Sequence, residues 1–122
     1  MGYRSEVAIK CEEKAFEMFR ETYKRVELMP DKVYKDGDYF ILYWDWIKWY
    51  DSYEDVGAIE SVMDELDELQ DPNREEKTGY GYRFMRLGEE DTDIETREND
   101  WNIELWMIRK IDIPDGLEEV EE

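Results

Sequence analysis

The sequence predicts an α+β fold: a single domain with a mostly antiparallel sheet and two helices on one face, in a ferredoxin-like β-α-β-β-α-β order with an extra strand. Three observations lead there. The chain has 122 residues, enough for one core and not two. Its apolar residues alternate with period two in several segments and recur at helical spacing in two others. Hydrophobic residues make up 41% and aromatics 15%, so a packed interior is available despite 42% charged residues, and the disordered class is disfavoured.

Residues 3–11 place Tyr3, Ser5, Val7, Ile9 and Cys11 on one face and Arg4, Glu6, Ala8 and Lys10 on the other, the pattern of a half-buried strand. The period then changes. Phe16, Phe19, Tyr23 and Val26 fall at helical spacing, with Glu12 and Glu13 at the start and Lys24 and Arg25 at the end, as the helix dipole favours. Pro30 bounds this helix. Asp36-Gly37 reads as a two-residue hairpin turn between a short strand over 33–35 and a long one beginning at Asp38. In the long arm, Phe40, Leu42, Trp44 and Trp46 share one face, while Tyr39, Ile41, Tyr43 and Ile47 share the other, so burial on both faces is expected. Residues 53–70 return to helical period with Val56, Ile59, Met63 and Leu66 as the buried stripe. Strands are expected over 78–87 and 101–113, joined by an acidic connection over 88–100 with room for a short strand. The domain spans residues 1–113, and the acidic tail 114–122 is expected to fray.

The charge is divided between the two halves. The net charge is −19, of which residues 1–48 contribute −1 and residues 49–122 contribute −18. Such a surface repels nucleic acid and anionic membranes and attracts basic proteins within a Debye length of roughly 8 Å at physiological salt. No apolar run reaches the roughly 18 residues of a membrane span. With Arg4 and Glu6 close behind Met1, no signal-peptide segment is evident, and the cytoplasm is the expected compartment. The lone Cys11, beside Val7 and Ile9, reads as a small buried hydrophobe.

The residues offer little for catalysis. Histidine is absent, which removes the commonest general base, the Ser-His and Cys-His pairs and most zinc sites. The seven glycines form no phosphate-cradling pattern. A pair of carboxylates suited to glycoside hydrolysis cannot be singled out among thirty-five acids. Asp91, Asp93 and Glu95 have the spacing of calcium ligands, but Thr96 stands where the loop needs Gly and Asn102 where it needs a bidentate Glu. The chain is therefore expected to be no enzyme, with no cofactor and no metal.

The acidic stretches remain. Residues 49–73 hold nine acids, Asp51, Glu54, Asp55, Glu60, Asp64, Glu65, Asp67, Glu68 and Asp71, without a Lys or Arg. Like pairs at i, i+4, such as Glu60–Asp64, Asp64–Glu68 and Asp67–Asp71, each cost a few tenths of a kcal/mol in a helix. The eight acids from Glu54 to Asp71, spread over 18 residues of helix rising 1.5 Å each, give roughly one negative charge per 3.4 Å, the axial density of a DNA strand at about 3.4 Å per charge. Glu89, Glu90, Asp91, Asp93, Glu95, Glu98 and Asp100 offer a second row. The aromatic block over 44–53 reads first as core, since Trp44 and Trp46 alternate with a strand face, but Trp49, Tyr50 and Tyr53 stand at the strand-to-helix turn, where aromatics beside acids also suit a protein interface or a stacked ligand.

The opening Met1-Gly2-Tyr3-Arg4-Ser5-Glu6-Val7, the block Lys48-Trp49-Tyr50-Asp51-Ser52-Tyr53-Glu54-Asp55-Val56, and Tyr82-Arg83-Phe84 followed by Arg86-Leu87-Gly88-Glu89-Glu90 and Asp93-Ile94-Glu95 resemble a family of small, mostly uncharacterised proteins of tailed phages and prophages. The resemblance covers pieces of the chain from residue 1 to about 95 and implies context rather than an activity. Phage accessory proteins of this size often disarm host defence, and acidic mimics recur among anti-restriction and anti-CRISPR proteins. The expectation is an inhibitor acting in the infected cell's cytoplasm, a nucleic-acid mimic that occupies the basic groove of a CRISPR effector or restriction enzyme and binds no nucleic acid itself. A homodimer is compatible with the sequence. The alternatives are a sponge holding a nucleotide signal among Trp49, Tyr50, Tyr53 and Arg83 or Arg86, and a phage structural protein.

Overall fold

Alternation along the first strand buries Val7, Ile9 and Cys11 completely on one side, and the fold is built around that strand. The computed structural model describes residues 2–70, 79–90, 92–100, 103 and 116–120. The elements run β1 (Ser5–Glu12), α1 (Glu13–Arg25), β2 (Lys32–Asp36), β3 (Tyr39–Ile47), α2 (Glu54–Leu69), β4 (Tyr82–Gly88), β5 (Ile94–Glu98) and β6 (Glu118–Glu119). The strands form one sheet in the order β5-β4-β1-β3-β2-β6, with every neighbouring pair antiparallel. This is an α+β domain, as the period changes predict.

Both helices lie on one face of the sheet. Ala15, Phe16 and Phe19 of α1 and Val56, Ile59, Met63 and Leu66 of α2 join one core with Val7, Ile9, Leu42, Trp44, Tyr82 and Phe84. Each large apolar side chain removed from water there stabilises the fold by about 1.5–3 kcal/mol. Phe16 stacks on Phe40 at 4.1 Å between ring centroids, and the Trp44 indole Nε1 donates to the Leu28 carbonyl at 3.2 Å. The opposite face of the sheet carries Ala8, Ile41, Met85 and Leu87, all buried, as the two-faced hydrophobicity of the long strand predicts. Cys11 is buried, and burial pushes its thiol pKa well above the usual range, which suits an inert core residue.

Details differ from the sequence reading. The two-residue turn is Gly37-Asp38, one position later than expected, because Asp36 already pairs with Tyr39. Gly37 takes the left-handed φ of 61° that the turn needs at its first position. Strict alternation along β3 fails near its end. Val7 faces Trp44 but Ser5 faces Ile47, so Asp45 and Trp46 together stand where one residue would, a β-bulge. Ile47 thereby reaches the core side, while Trp46, expected inside, is 49% exposed. The tail expected to fray lays Glu118 and Glu119 beside Lys35 and Tyr34, and the Val120 N–H donates to the Val33 carbonyl at 2.6 Å. The free edge of β2 supplies the partner for that pairing. The strand expected over 101–113 lies outside the described residues, Ile103 excepted, which is fully buried.

Candidate partner-binding surface

At 3.6 residues per turn, Glu54, Glu60, Asp64, Glu65, Asp67 and Glu68 fall within about a 160° arc of α2. Val56, Ile59, Val62, Met63 and Leu66 fill the opposite arc, and all five are buried. The core stripe therefore turns the acids outward. Glu54, Asp64, Glu65, Asp67 and Glu68 are exposed, and Asp55 and Glu60 are half-buried. Glu54 and Asp55 sit in the first helical turn, where the helix dipole favours negative charge.

The second acidic segment is brought alongside the first. Arg97 of β5 reaches across to α2, with Nη2 at 2.7 Å from both Asp64 Oδ1 and Asp67 Oδ2. The Tyr82 hydroxyl donates to the other Asp67 oxygen at 2.8 Å. Asp64 and Asp67 are therefore not bare charges, contrary to a reading from helix spacing alone. Their compensating cation comes from a strand some thirty residues further along, beyond the reach of any i, i+4 rule. Arg97 is the one cation in the segment 88–100, and that isolation among acids is the cue that could have marked it.

At the other end of the seam the acids crowd. Partial burial, a hydrogen bond with Asp51, and the charges of Asp51 and Glu95 push the Glu60 carboxyl up to about 7, against a smaller opposing pull from Arg97. Carboxylates from the loop before α2, from α2 and from β5 thus interact directly. Among the exposed acids, Glu65 and Glu68 take part in no ion pair within the described residues.

Beyond β4 the chain turns back through Glu89, Glu90 and Asp93. Arg86 holds this turn: Nη2 lies 2.8 Å from Asp93 Oδ1, Nη1 3.1 Å from Asp93 Oδ2 and 3.0 Å from Ser5 Oγ, and Nε 2.9 Å from Glu95. The Tyr3 hydroxyl donates to Asp93 at 2.6 Å and accepts from the Glu90 N–H at 3.1 Å. The Arg86 guanidinium holds the Asp93 carboxyl below the usual carboxylate range, and the hydrogen bond to Asp93 raises the Tyr3 phenol above its own. A Cβ at Gly88 would push aside the Asp93 carboxylate and the Tyr3 hydroxyl. Glu89 is tied to the same end of the sheet by the Arg4 N–H, at 3.1 Å from its Oε1.

Tyr3, Trp49, Tyr50, Asp51, Ser52, Arg86, Asp93 and Glu95 line an open cleft of about 490 Å³, drawn from the residues before β1, the turn before α2 and the β4–β5 hairpin. The aromatic block divides. Trp49 is 5% exposed and packs against Trp44 and Phe84, which makes it mainly a core residue rather than a free contact. Tyr50 is half-buried and its hydroxyl accepts the Tyr3 N–H at 2.6 Å. Tyr53, 41% exposed, stands edge-on to Tyr50 and turns toward Val26 and Glu54 instead of the cleft. Arg83 points elsewhere, its Nη1 donating to the Ile103 carbonyl at 3.1 Å. Of the two arginines considered for a nucleotide site, Arg86 alone reaches the aromatics, and two carboxylates already engage it.

Asp71 and Asp91 lie outside the described residues. Among the described residues no group of three or more acidic or sulfur side chains is arranged to hold a metal ion, and no helix is long and apolar enough to cross a membrane. Fold and surface together define a small α+β protein presenting an acidic face built from a helix and a neighbouring strand. The chain matches no protein-family model, no curated protein and no solved structure.

Proposed function

We propose that this chain is a binding protein rather than an enzyme, a phage-encoded inhibitor that presents the α2–β5 face as a counterfeit nucleic-acid backbone to a basic, nucleic-acid-handling host-defence protein. A CRISPR effector or a restriction enzyme is the target class, and the infected cell's cytoplasm is the site of action. One observation carries the reading: two acidic segments, distant in sequence, lie close enough for Asp51, through a hydrogen bond, and Glu95, through its charge, to raise the proton affinity of the Glu60 carboxyl on α2. Seven carboxyl groups on α2, about 24 Å long at 1.5 Å per residue, are spaced near the phosphates of a nucleic-acid strand, with Arg97 offsetting one charge at Asp64 and Asp67. Crowding of this kind is unfavourable in the free protein and is relieved when a basic surface docks.

The test follows from the ion pairs. Reversing Asp64 or Asp67 would also break their bonds to Arg97, so the informative variant is Glu65→Lys with Glu68→Lys, which leaves the α2–β5 seam intact. Inhibition of the target's nucleic-acid binding should drop at least tenfold in this double variant, its melting temperature should stay near that of the wild type, and wild-type inhibition should weaken steeply with added salt. A folded double variant with full inhibitory strength would rule out mimicry by α2. The nucleotide-sponge reading gains no comparable support, because Arg86 is already neutralised by Asp93 and Glu95.

A further inference from the structure

Trp46 combines three features that packing does not explain. Its backbone sits at a left-handed φ of 56°, where a bulky side chain is a steric outlier. Its indole is 49% exposed. And it occupies a bulge without which alternation would direct it toward the core face beside Trp44. Left-handed backbone at a non-glycine residue persists only where its surroundings hold it. Here the Arg4 Nη1 donates to the Trp46 carbonyl at 3.1 Å, and the Asp45 N–H donates to Asp31 Oδ2 at 2.6 Å, so both bulge residues are pinned.

The position of Trp46 indicates what it meets. Ser5 pairs with Ile47 on one side and Gly88 on the other, so the end of β3 and the end of β4 share one end of the sheet. Arg4 joins them, its side chain on the Trp46 carbonyl and its N–H on Glu89. Glu89 and Glu90 are both exposed there. We propose that Trp46 is an anchor for a basic protein partner, its exposed indole stacking on an arginine side chain while Glu89 and Glu90 hold neighbouring cations. This inference rests on the acidic-surface reading for the kind of partner, and adds a contact that reading did not contain. An exposed indole at the same end of the sheet as exposed carboxylates suits guanidinium in particular, because the planar cation stacks on the ring and pairs with carboxylates through its fork of donors, and Trp is enriched among the residues that dominate interface energy.

The full-length chain can be titrated with an oligo-arginine peptide and an oligo-lysine peptide of equal length, followed by calorimetry. The wild type should prefer arginine by about threefold, the size of an exposed cation–π contact. Trp46→Gly and Trp46→Ala should both erase that preference. Trp46→Gly should also melt about 3 °C above Trp46→Ala, because only glycine is at ease at this φ. Retention of the arginine preference in both variants overturns the proposal. So does a Trp46→Gly variant melting far below the wild type, which would make the indole a packing residue. Glu65→Lys with Glu68→Lys separates the two readings: it should weaken both peptides alike and keep the preference. Unchanged affinity for both peptides in that variant would count against the acidic face while leaving Trp46 to stand or fall on its own.

Discussion

Glu27 closes α1 with a φ of 58°, in the position after the helix where glycine is usual. The Leu28 N–H returns to the Tyr23 carbonyl at 2.9 Å and the Val26 N–H to the Thr22 carbonyl at 2.9 Å, so the last turn is well closed in spite of the side chain. Glu27 is exposed and its side chain is dispensable to the core. Glu27→Gly should therefore stabilise the protein by about 1 kcal/mol, seen as a rise of about 4 °C in a thermal melt. Trp46 has the same backbone handedness at a different kind of place. At Glu27 the left-handed residue ends a helix, as such residues commonly do; at Trp46 it reverses the facing of a strand. Sequence alternation could not reveal that reversal, because the period-two rule carries no information on where a bulge breaks it.

Between elements, α2 and β5 share a seam with opposite character at its two ends. At one end Arg97 bridges Asp64 and Asp67; at the other Glu60 faces Asp51 and Glu95. Because the Glu60 carboxyl is raised from its ordinary 4.5 to about 7, the folded state binds a proton more tightly than the unfolded chain does. Its contribution to stability is complete below about pH 4.5 and is lost as pH rises through about 7. Glu60→Gln should thus match the wild type near the low end of that window and melt above it at alkaline pH; a variant that tracks the wild type at both ends would refute the crowding. The helix itself was readable from sequence, since Val56, Ile59, Met63 and Leu66 repeat at helical spacing and all four are buried. The acids on its outer arc were readable for the same reason. What was not readable is which of them are compensated. Arg97 and Asp64 are neighbours only after β4 and β5 have paired, and a single sequence does not encode that proximity in any local pattern. The same holds for the cleft, where Tyr3, Tyr50 and Arg86 come from three separate segments.

For the molecule as a whole, a net charge of −19 opposes its own compaction. Most of that charge lies in the second half of the chain, which includes α2, β4 and β5, so the repulsion is concentrated rather than diffuse. Raising salt from about 20 mM to about 0.5 M shortens the Debye length severalfold and should raise the melting temperature. The same salt should release a basic partner. Opposite responses of stability and binding to one variable distinguish a surface selected for docking from one selected for solubility in brine, where both would be expected to hold at high salt.

The place of β1 has a consequence for how the chain is made. It is synthesised before both strands it pairs with and ends between β3 and β4, with Ser5 pairing with Ile47 on one side and Gly88 on the other. Until β4 has left the ribosome, the strand that will become the middle of the sheet has an open edge. A nascent or truncated chain ending before Tyr82 is therefore a sticky fragment rather than a smaller version of the protein. Its acidic second half, partly translated by then, would serve to keep such intermediates apart before it serves anything else.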